Sequence, residues 1–256
     1  MLKSPDENAR GLSDARLDAL RYDGHTGDPN EVAGLMRNAM PKGARVLDVG
    51  CGTGGLTLIV NADKQNDVLG LEPDETRASV ARTLGLKVVS SQFDREFVAT
   101  QPPFDVIVFA DVLEHSPAPA AMLQTAWGAL KRGGLLLASV PNVAHWSVRA
   151  NLLFGRFDYE PVGIMDATHL RWFTEKTLRS LIRSSGFEIV MLRYAAGTNL
   201  PVYYRSAFRF LPKSLKAPLV RLGAKALPRL FASQHVVIAR KPTAIAEQGS
   251  SATYCA

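Results

Sequence analysis

One stretch decides the fold of this chain: Val46-Leu47-Asp48-Val49-Gly50-Cys51-Gly52-Thr53-Gly54-Gly55. A short apolar strand, residues 44–49, runs into closely spaced glycines, and the following residues, 54–62, suit a helix. Glycines at a strand-to-helix turn let the backbone bend tightly and approach a ligand closely. The stretch therefore predicts a ligand-binding loop at the carboxyl end of a first parallel strand.

On both sides of this loop, strand-like apolar runs alternate with helix-like segments. Before the loop, Asp28-Pro29-Asn30-Glu31 predicts the start of a helix that runs to about Met40. After it, we expect helices at 73–84, 117–130 and 175–185 and strands at 68–71, 86–90, 104–110, 134–140, 187–194 and 234–240. This alternation is typical of an α/β fold, in which helices cover both faces of a mainly parallel sheet.

Two long segments, residues 142–173 and 197–232, interrupt the alternation. Segments of this length within a compact domain are usually functional, so we predict that both lie on the substrate side. We expect a single domain over residues 1–241, in which residues 1–42 form an N-terminal helical segment. Residues 242–256 are small and polar and predict a disordered tail.

Composition favours a cytoplasmic protein. Of 256 residues, 46% are apolar, and there are two cysteines, Cys51 and Cys255. Two cysteines do not form a disulfide framework. The start of the sequence is polar, and no run of about 18 uncharged apolar residues suggests a membrane span.

The net charge of +6 is concentrated near the end of the chain. Seven Lys and Arg residues lie between Arg205 and Arg229, and no acidic residue separates them. At helical spacing, these cations segregate from a leucine-rich face, with a break at Pro218 that predicts two short amphipathic helices. Such helices suit loose contact with an anionic membrane surface through residues 200–231, at the inner face of the membrane. The alternative is a helical cap on the substrate cleft, with its basic faces in water.

Two acidic residues narrow the choice of ligand for the glycine loop. Asp48 lies on the strand just before the glycines, and Glu72 ends the next strand. These carboxylates suit an ammonium group and a pair of ribose hydroxyls. The glycines alone also fit a dinucleotide-binding loop, so a nicotinamide-dependent oxidoreductase is a rival interpretation. No Tyr-x-x-x-Lys pair supports that rival.

Four motifs, VLDVGCGTGG, LEPD, FDVIVFADVLEH and LKRGGLLLASVPN, resemble successive motifs of class I S-adenosylmethionine-dependent methyltransferases. The resemblance implies a Rossmann-like, doubly wound, seven-stranded sheet of order 3-2-1-4-5-7-6 with an antiparallel last strand. It implies S-adenosylmethionine as the methyl donor and a transferase activity. It assigns the donor loop to Gly50, Gly52 and Gly54 and ribose binding to Glu72. For the adenine, the sequence offers Gln92 with Phe93, or else Asp94.

The stretch from Asp111 to His115 follows the fourth strand, at the sheet edge where ligands bind. Asp111 is a further candidate donor contact, and His115 suits a general base near neutral pH. The stretch also resembles the acid-x-x-Glu-His element of ubiquinone-pathway O-methyltransferases. That resemblance implies a divalent metal at Asp111, Glu114 and His115, as an alternative to a site without metal. In a third interpretation these side chains only shape the loop.

A second motif, Asp166-Ala167-Thr168-His169-Leu170-Arg171-Trp172, resembles methyltransferases of bacterial cell-surface polysaccharide and natural-product pathways, as does the segment ending in His145. It offers His169 as the base and His145 and Arg171 as substrate contacts. The acceptor that we expect is a hydroxyl on a glycan, which could be lipid-linked, or on a small hydroxylated metabolite. In the alternative interpretation, Asp166, His169 and Arg171 only form a hydrogen-bonded brace that fixes residues 142–173, which act as a lid.

Two further functions compete with methyl transfer to a small molecule. The first is a non-catalytic module that binds S-adenosylmethionine. The second is nucleic-acid methylation, for which the chain lacks an Asn-Pro-Pro-Tyr-like element and a catalytic cysteine pair. We therefore expect no nucleic-acid partner.

Overall fold

The computed structural model describes residues 24–205 and 210–243. The predicted tail from residue 244 onward, and the part of the predicted N-terminal segment before residue 24, lie outside the described residues. Phe208 and Arg209 of the second long segment also lie outside them.

A single seven-stranded sheet organises the described chain. Its strands are β1 (Arg45–Val49), β2 (Asp67–Leu71), β3 (Lys87–Val89), β4 (Phe104–Ala110), β5 (Leu130–Pro141), β6 (Glu188–Ala195) and β7 (Gln234–Arg240). The spatial order is β3-β2-β1-β4-β5-β7-β6. The five neighbouring strands β3, β2, β1, β4 and β5 pair in parallel. Strand β7 runs antiparallel to both of its neighbours, β5 and β6. This topology confirms the Rossmann-like fold that the resemblance implies.

Ten α-helices are assigned among the described residues. They are α1 (Val32–Ala39), α2 (Gly55–Asn61), α3 (Glu75–Thr83), α4 (Arg95–Ala99), α5 (Pro119–Ala129), α6 (Trp146–Leu153), α7 (Glu175–Ser184), α8 (Val202–Arg205), α9 (Lys213–Ala226) and α10 (Pro228–Phe231), with a 3₁₀ turn at Leu113–His115. The sequence pattern predicts neither α4 nor α6. Helix α4 has only five residues and depends on Asp94, whose carboxylate accepts a hydrogen bond from the Phe97 backbone N–H at 2.8 Å.

The core lies on both faces of the sheet. Along β4, Ile107 and Phe109 pack into one apolar cluster, and Val106 and Val108 pack into the other. Successive side chains of a strand point to opposite faces, so all four residues are buried only if both faces are covered. Helices α5 and α7 cover the first face, and α1 and α2 cover the second.

The strand order fixes the place of a ligand site. Strand β1 pairs with β2 on one side and β4 on the other, so the chain connection reverses direction at β1. In open α/β sheets the crevice at this switch point, outside the carboxyl ends of the strands, is where ligands bind. The glycine loop follows β1 and the Asp111–His115 stretch follows β4, so the topology brings these two motifs together.

The second long segment departs from the expected pair of helices. Helix α9 continues through Pro218, and α10 follows it after Leu227. The expected break at Pro218 is therefore wrong. Pro218 removes one N–H from the ladder of a 14-residue helix. Packing of Val220 and Ala224 against Tyr203 holds the helix beyond this point.

The expected side-chain segregation on α9 is also wrong in part. The Lys216 side chain is buried, with its Nζ 4.4 Å from the centroid of the Tyr204 ring. Leu215, Leu219 and Leu222 are exposed instead. The helix is thus turned so that small apolar residues face the protein and leucines face outward. Among the described residues, no helix has the length and apolar character needed to span a bilayer.

Candidate active site

The glycine loop adopts backbone conformations that favour glycine. Gly50, Gly52 and Gly54 have φ angles of +69°, +58° and +87°. A Cβ on Gly50 would lie 2.8 Å from the Val112 side chain, and one on Gly54 would collide with Leu86. A Cβ on Gly52 would meet no atom within 4 Å. Gly50 and Gly54 are therefore required for packing, whereas Gly52 borders open space.

Glu72 ties the loop to the end of β2. Its side chain is 2% exposed, and its Oε2 accepts a hydrogen bond from the Gly52 backbone N–H at 2.9 Å. Its Oε1 accepts one from the Asp74 N–H at 3.0 Å and lies 3.2 Å from the Arg77 guanidinium. A carboxylate offers about four lone-pair positions, so Glu72 keeps acceptor capacity for a ligand.

Asp48 provides a second buried carboxyl beside the loop. Its Oδ2 accepts a hydrogen bond from the Thr57 hydroxyl at 2.6 Å. Burial raises the pKa of the Asp48 carboxyl to about 7, and the nearby negative charge of Glu72 adds to this shift. A cationic ligand group at this position would stabilise the ionised form.

These residues line a cavity of about 750 Å³ at the carboxyl edge of the sheet. The part of its lining that the sequence predicts consists of Asp48, Gly50, Gly52, Glu72, Asp111, Glu114, His115 and His169. The cavity has the size of a small-molecule site. The residues present fit S-adenosylmethionine, since the two buried carboxyls of Asp48 and Glu72 would face its ammonium group and its ribose, and Gly52 leaves room for it.

The structure does not place the predicted adenine contacts on this cavity. Gln92 is exposed, and Phe93 packs edge-on against Phe109 with ring centroids 5.5 Å apart. Neither residue lines the cavity, and Asp94 caps α4. In their place the cavity lining includes Pro73 and Arg77, which the sequence pattern did not single out. Pro73 directly follows Glu72, and Arg77 lies one helical turn after Pro73. This closeness to Glu72 is the sequence signal that could have identified both residues.

Asp111 lines the cavity but its carboxylate is occupied by protein groups. Its Oδ1 accepts from the Ser139 hydroxyl at 2.6 Å, and its Oδ2 accepts from the Gln234 amide at 2.6 Å. Its φ angle of +55° is unusual for a non-glycine residue. These bonds connect the loop after β4 to β5 through Ser139 and to the start of β7 through Gln234. Asp111 therefore has a structural role between strands.

A cluster of Glu114, His115 and His169 forms the other half of the cavity wall. The two imidazole rings meet edge to face with centroids 4.8 Å apart. His115 Nδ1 lies 3.2 Å from the Thr168 carbonyl, and His169 Nδ1 lies 3.1 Å from the Ile164 carbonyl. A carbonyl only accepts, so the His169 contact places a proton on Nδ1 and leaves Nε2 as the basic nitrogen.

Burial and the neighbouring His115 lower the pKa of His169 below its ordinary value. His169 is therefore neutral at pH 7. A neutral imidazole with an available lone pair is the form that a general base requires.

Glu114 is the least satisfied group of the cluster. Its side chain is 1% exposed, and neither carboxylate oxygen has a hydrogen-bond partner among the described residues. Burial, with a contribution from the Asp111 charge, raises the pKa of Glu114 well above its ordinary value. A buried carboxyl without partners is stabilised either by a proton or by a cation.

The cluster also fits a divalent metal. One ligand atom each from Glu114, His115 and His169 lie within 4.8 Å of one another. Asp111, which the sequence proposes as a ligand, does not belong to this group, and its oxygens are held by Ser139 and Gln234. His169, 54 residues beyond His115 in the sequence, takes its place.

The two predicted substrate contacts lie away from the cavity. His145 is fully buried, with Nδ1 2.7 Å from the Ser147 hydroxyl and Nε2 3.2 Å from the Tyr203 hydroxyl. Burial lowers the pKa of His145 to about 4. Arg171 is exposed and donates to the Pro117 carbonyl at 2.8 Å. His145 connects the start of residues 142–173 to Tyr203, Arg171 connects the end of that segment to Pro117, and neither residue lines the cavity.

The lid brace differs from the expected one. Asp166 is fully buried, and its Oδ1 accepts from the Thr168 N–H at 2.8 Å and from the Thr168 hydroxyl at 2.6 Å. Thr168 in turn contacts His115. Asp166 and Thr168 therefore form the brace, and Arg171 takes no part in it.

Sequence comparison gives a match over most of this region. A family model described as a methyltransferase domain matches residues 29–192, which is more than half of the chain. Ubiquinone biosynthesis O-methyltransferase of Stutzerimonas stutzeri is 32% identical over 124 residues, covering 46% of this chain and 53% of the relative. The chain thus matches about half the length of this curated relative.

Solved structures show the same fold at low identity. A SAM-dependent methyltransferase from Archaeoglobus fulgidus aligns with a TM-score of 0.57 at 20% identity, over 82% of this chain and 93% of that one. The cyclopropane synthase MmaA2 from Mycobacterium tuberculosis aligns with a TM-score of 0.54 at 15% identity, over 82% of each chain. The two names state different reactions. The structural similarity therefore shows the fold and does not identify the acceptor.

Proposed function

This chain belongs to the methyltransferase-domain family, and on that premise we propose that it transfers a methyl group from S-adenosylmethionine to a hydroxyl group. The acceptor class is a glycan, including a lipid-linked one, or a small hydroxylated metabolite. One observation carries the proposal: a single cavity is lined both by Gly52 and Glu72 and by His115 and His169. When the donor-binding residues and a general base line the same cavity, they can align the donor and the acceptor for direct transfer.

The donor half of the cavity binds and orients. S-adenosylmethionine supplies, when bound, an electrophilic methyl group on a positively charged sulfur. Glu72 keeps acceptor capacity for a ribose hydroxyl, and it accepts a hydrogen bond from the Gly52 N–H of the loop. The buried Asp48 carboxyl suits the ammonium group of the same ligand.

The acceptor half of the cavity handles the proton. His169 keeps its Nδ1 proton on the Ile164 carbonyl, so its Nε2 accepts the proton of an acceptor hydroxyl as the oxygen attacks. The positive charge that His169 then carries lies beside His115 and near the Asp166 and Asp111 carboxylates. Those carboxylates stabilise the imidazolium.

Two alternatives lack comparable support. A nicotinamide-dependent oxidoreductase is not what the family match indicates. A non-catalytic S-adenosylmethionine-binding module leaves unexplained why two histidines face the donor loop across the same cavity. Transfer of label from S-adenosyl-[methyl]methionine to hydroxylated acceptors, with NADH as a competing ligand, tests all three.

The donor assignment makes a prediction for Glu72. Replacing Glu72 by alanine should weaken S-adenosylmethionine binding by about 1–3 kcal/mol, the scale of hydrogen bonds lost from a charged group. Calorimetric titration measures the change. Glu75→Ala is the matched control, since Glu75 is an exposed acid on the adjacent helix, paired with Arg82. Wild-type affinity in Glu72→Ala would refute the donor assignment.

A metal-assisted reaction is the second candidate, and the unpartnered Glu114 carboxylate favours it. Glu114, His115 and His169 would hold the ion, which as a Lewis acid would lower the pKa of the acceptor hydroxyl. With His169 as the base, methyl transfer is expected to continue unchanged after EDTA treatment. Loss of activity with EDTA, restored by Mg²⁺ or Zn²⁺, would move His169 from base to ligand.

We also propose that the protein works in the cytoplasm and contacts the inner face of the membrane loosely. The exposed leucines of α9 support contact with a membrane surface. A lipid-linked acceptor would be presented at the same surface. The basic residues that the sequence places on the same helices do not all remain available, since Lys216 is buried and Arg221 pairs with Asp28.

A further inference from the structure

A second groove, of about 870 Å³, lies between α6, α7 and α10. Among the described residues, it shares no lining residue with the donor cavity. Of the described residues that line it, five have cationic side chains, and Glu175 is the only acidic one. The cations are Arg149, Lys176, Arg179, Arg183 and Arg229.

Helix α7 presents most of this charge on one side. Lys176, Arg179 and Arg183 recur at helical spacing and face outward, while Leu178 and Ile182 are fully buried on the opposite side. The sequence pattern predicts the basic surface on residues 200–231. The structure instead gathers cations from three separate segments, of which only Arg229 belongs to that range.

Glu175 does not neutralise the groove. Its Oε1 accepts from Arg179 Nε at 2.9 Å, and its Oε2 accepts from Arg229 Nε at 3.0 Å. Two cations therefore share one carboxylate. Lys176 and Arg183 are exposed, and neither side chain has a hydrogen bond or ion pair among the described residues. The groove thus has a net positive charge that is available to an external anion.

Exposed apolar side chains lie close in sequence to two of the groove's cations, Arg149 and Arg229. Leu153 lies one helical turn after Arg149 on α6 and is 82% exposed, and Phe154 is 76% exposed. Leu227 is exposed and precedes Arg229 by two residues, at the junction of α9 and α10. Large exposed apolar residues beside a charged surface mark interaction sites.

We propose that this groove binds the phosphate headgroups of an anionic lipid surface, with Leu153, Phe154 and Leu227 entering the interface between headgroups and acyl chains. Two features favour a lipid surface over a soluble phosphate. Four of the five cations are exposed, and the nearby exposed apolar residues would gain nothing from a small hydrophilic ion. An anionic bilayer matches both the charge and the exposed apolar residues. The proposal does not depend on which hydroxyl is methylated.

Vesicle sedimentation of the full chain tests this site. We expect binding to phosphatidylglycerol-containing vesicles at low salt and none to pure phosphatidylcholine. The double variant Lys176→Gln/Arg183→Gln should bind about thirtyfold more weakly, since each cation near an anionic surface contributes about 1 kcal/mol, or about fivefold. High salt should reduce wild-type binding in the same direction.

The matched control is Lys87→Gln/Arg95→Gln. It removes the same charge from β3 and from the start of α4, where neither residue lines the groove, and should leave vesicle binding unchanged. Phe154→Ala should weaken binding without changing its salt dependence, because it removes only apolar contact. Donor affinity, measured in parallel, should remain at the wild-type value in all of these variants and thereby report correct folding.

Three results would overturn the proposal. Equal vesicle binding by the groove variant and the wild type would place the contact elsewhere. Saturable binding of inorganic phosphate, lost in the groove variant and without vesicle binding, would make the groove a soluble-phosphate site. Binding of a single-stranded RNA oligonucleotide without vesicle binding would assign the groove to nucleic acid.

Discussion

Replacing His169 by glutamine is expected to lower kcat by about 10²–10⁴-fold, the usual contribution of a general base, with little change in donor affinity. His169 lines the donor cavity, and the Ile164 carbonyl holds its Nδ1 proton, so Nε2 is the basic nitrogen. Glutamine keeps the size and polarity of the side chain but cannot take up a proton at neutral pH. The chemical step should therefore fail while the donor-binding residues remain intact.

The pH profile gives a second signature of this base. The pKa of His169 is lowered from 6.5, first by burial and then by the charge of His115. The base is therefore neutral and competent at pH 7, and wild-type kcat should fall only as the pH drops below 6.5 and through the lowered pKa. The acidic limb should be absent from the residual activity of His169→Gln.

Single-turnover assays with a hydroxylated acceptor that the wild type methylates would measure the loss, alongside calorimetric donor binding. His145→Gln is the matched control, because His145 is a buried histidine that does not line the cavity. If His115→Gln shows the loss and His169→Gln does not, His115 is the base. Full turnover in both variants would exclude His115 and His169 as the base.

Replacing Gly52 by valine is expected to weaken S-adenosylmethionine binding on the order of 10²-fold or more, beyond ordinary detection. A Cβ on Gly52 meets no protein atom within 4 Å, so the new side chain would enter the cavity that the donor must fill. Its φ of +58° also disfavours a β-branched residue, which adds backbone strain.

A second variant separates these two effects. Gly85 has a φ of +86°, and a Cβ there would likewise meet no atom within 4 Å, but Gly85 follows α3 and does not line the cavity. Gly85→Val should therefore lower the melting temperature as Gly52→Val does while keeping wild-type donor affinity. Wild-type affinity in Gly52→Val would show that the donor does not lie against this loop.

Local sequence signals determined most of the sheet. Strand β4 has the bounds that its apolar run predicts, and β1 ends at the glycine loop as expected. A buried parallel strand needs a continuous apolar run, and a strand-to-helix turn against a ligand needs glycine. Both elements can therefore be predicted from short stretches of sequence. The strand order was predicted from the resemblance to a known family, which rests on four such stretches in the same order along the chain.

Weak or conflicting local signals explain the errors in helices. Helix α6 has no clear apolar stripe, and Pro218 is a local helix breaker, yet α6 forms and α9 continues. Contacts with distant residues decide both cases, since Trp146, Val220 and Ala224 pack around Tyr203. The same packing buries Lys216 and turns the leucines of α9 outward.

The sequence by itself determined the fold, the donor loop and the chemical types available at the site. Only the tertiary structure decided which of them meet: His169 joins Glu114 and His115, whereas Asp111 is taken up by Gln234, 123 residues away. Gln92, Phe93, His145 and Arg171 are kept off the cavity. The reason is physical. Periodicity and turn chemistry act between near neighbours, but a site is assembled by strand order and lid packing, which join residues that no local pattern relates.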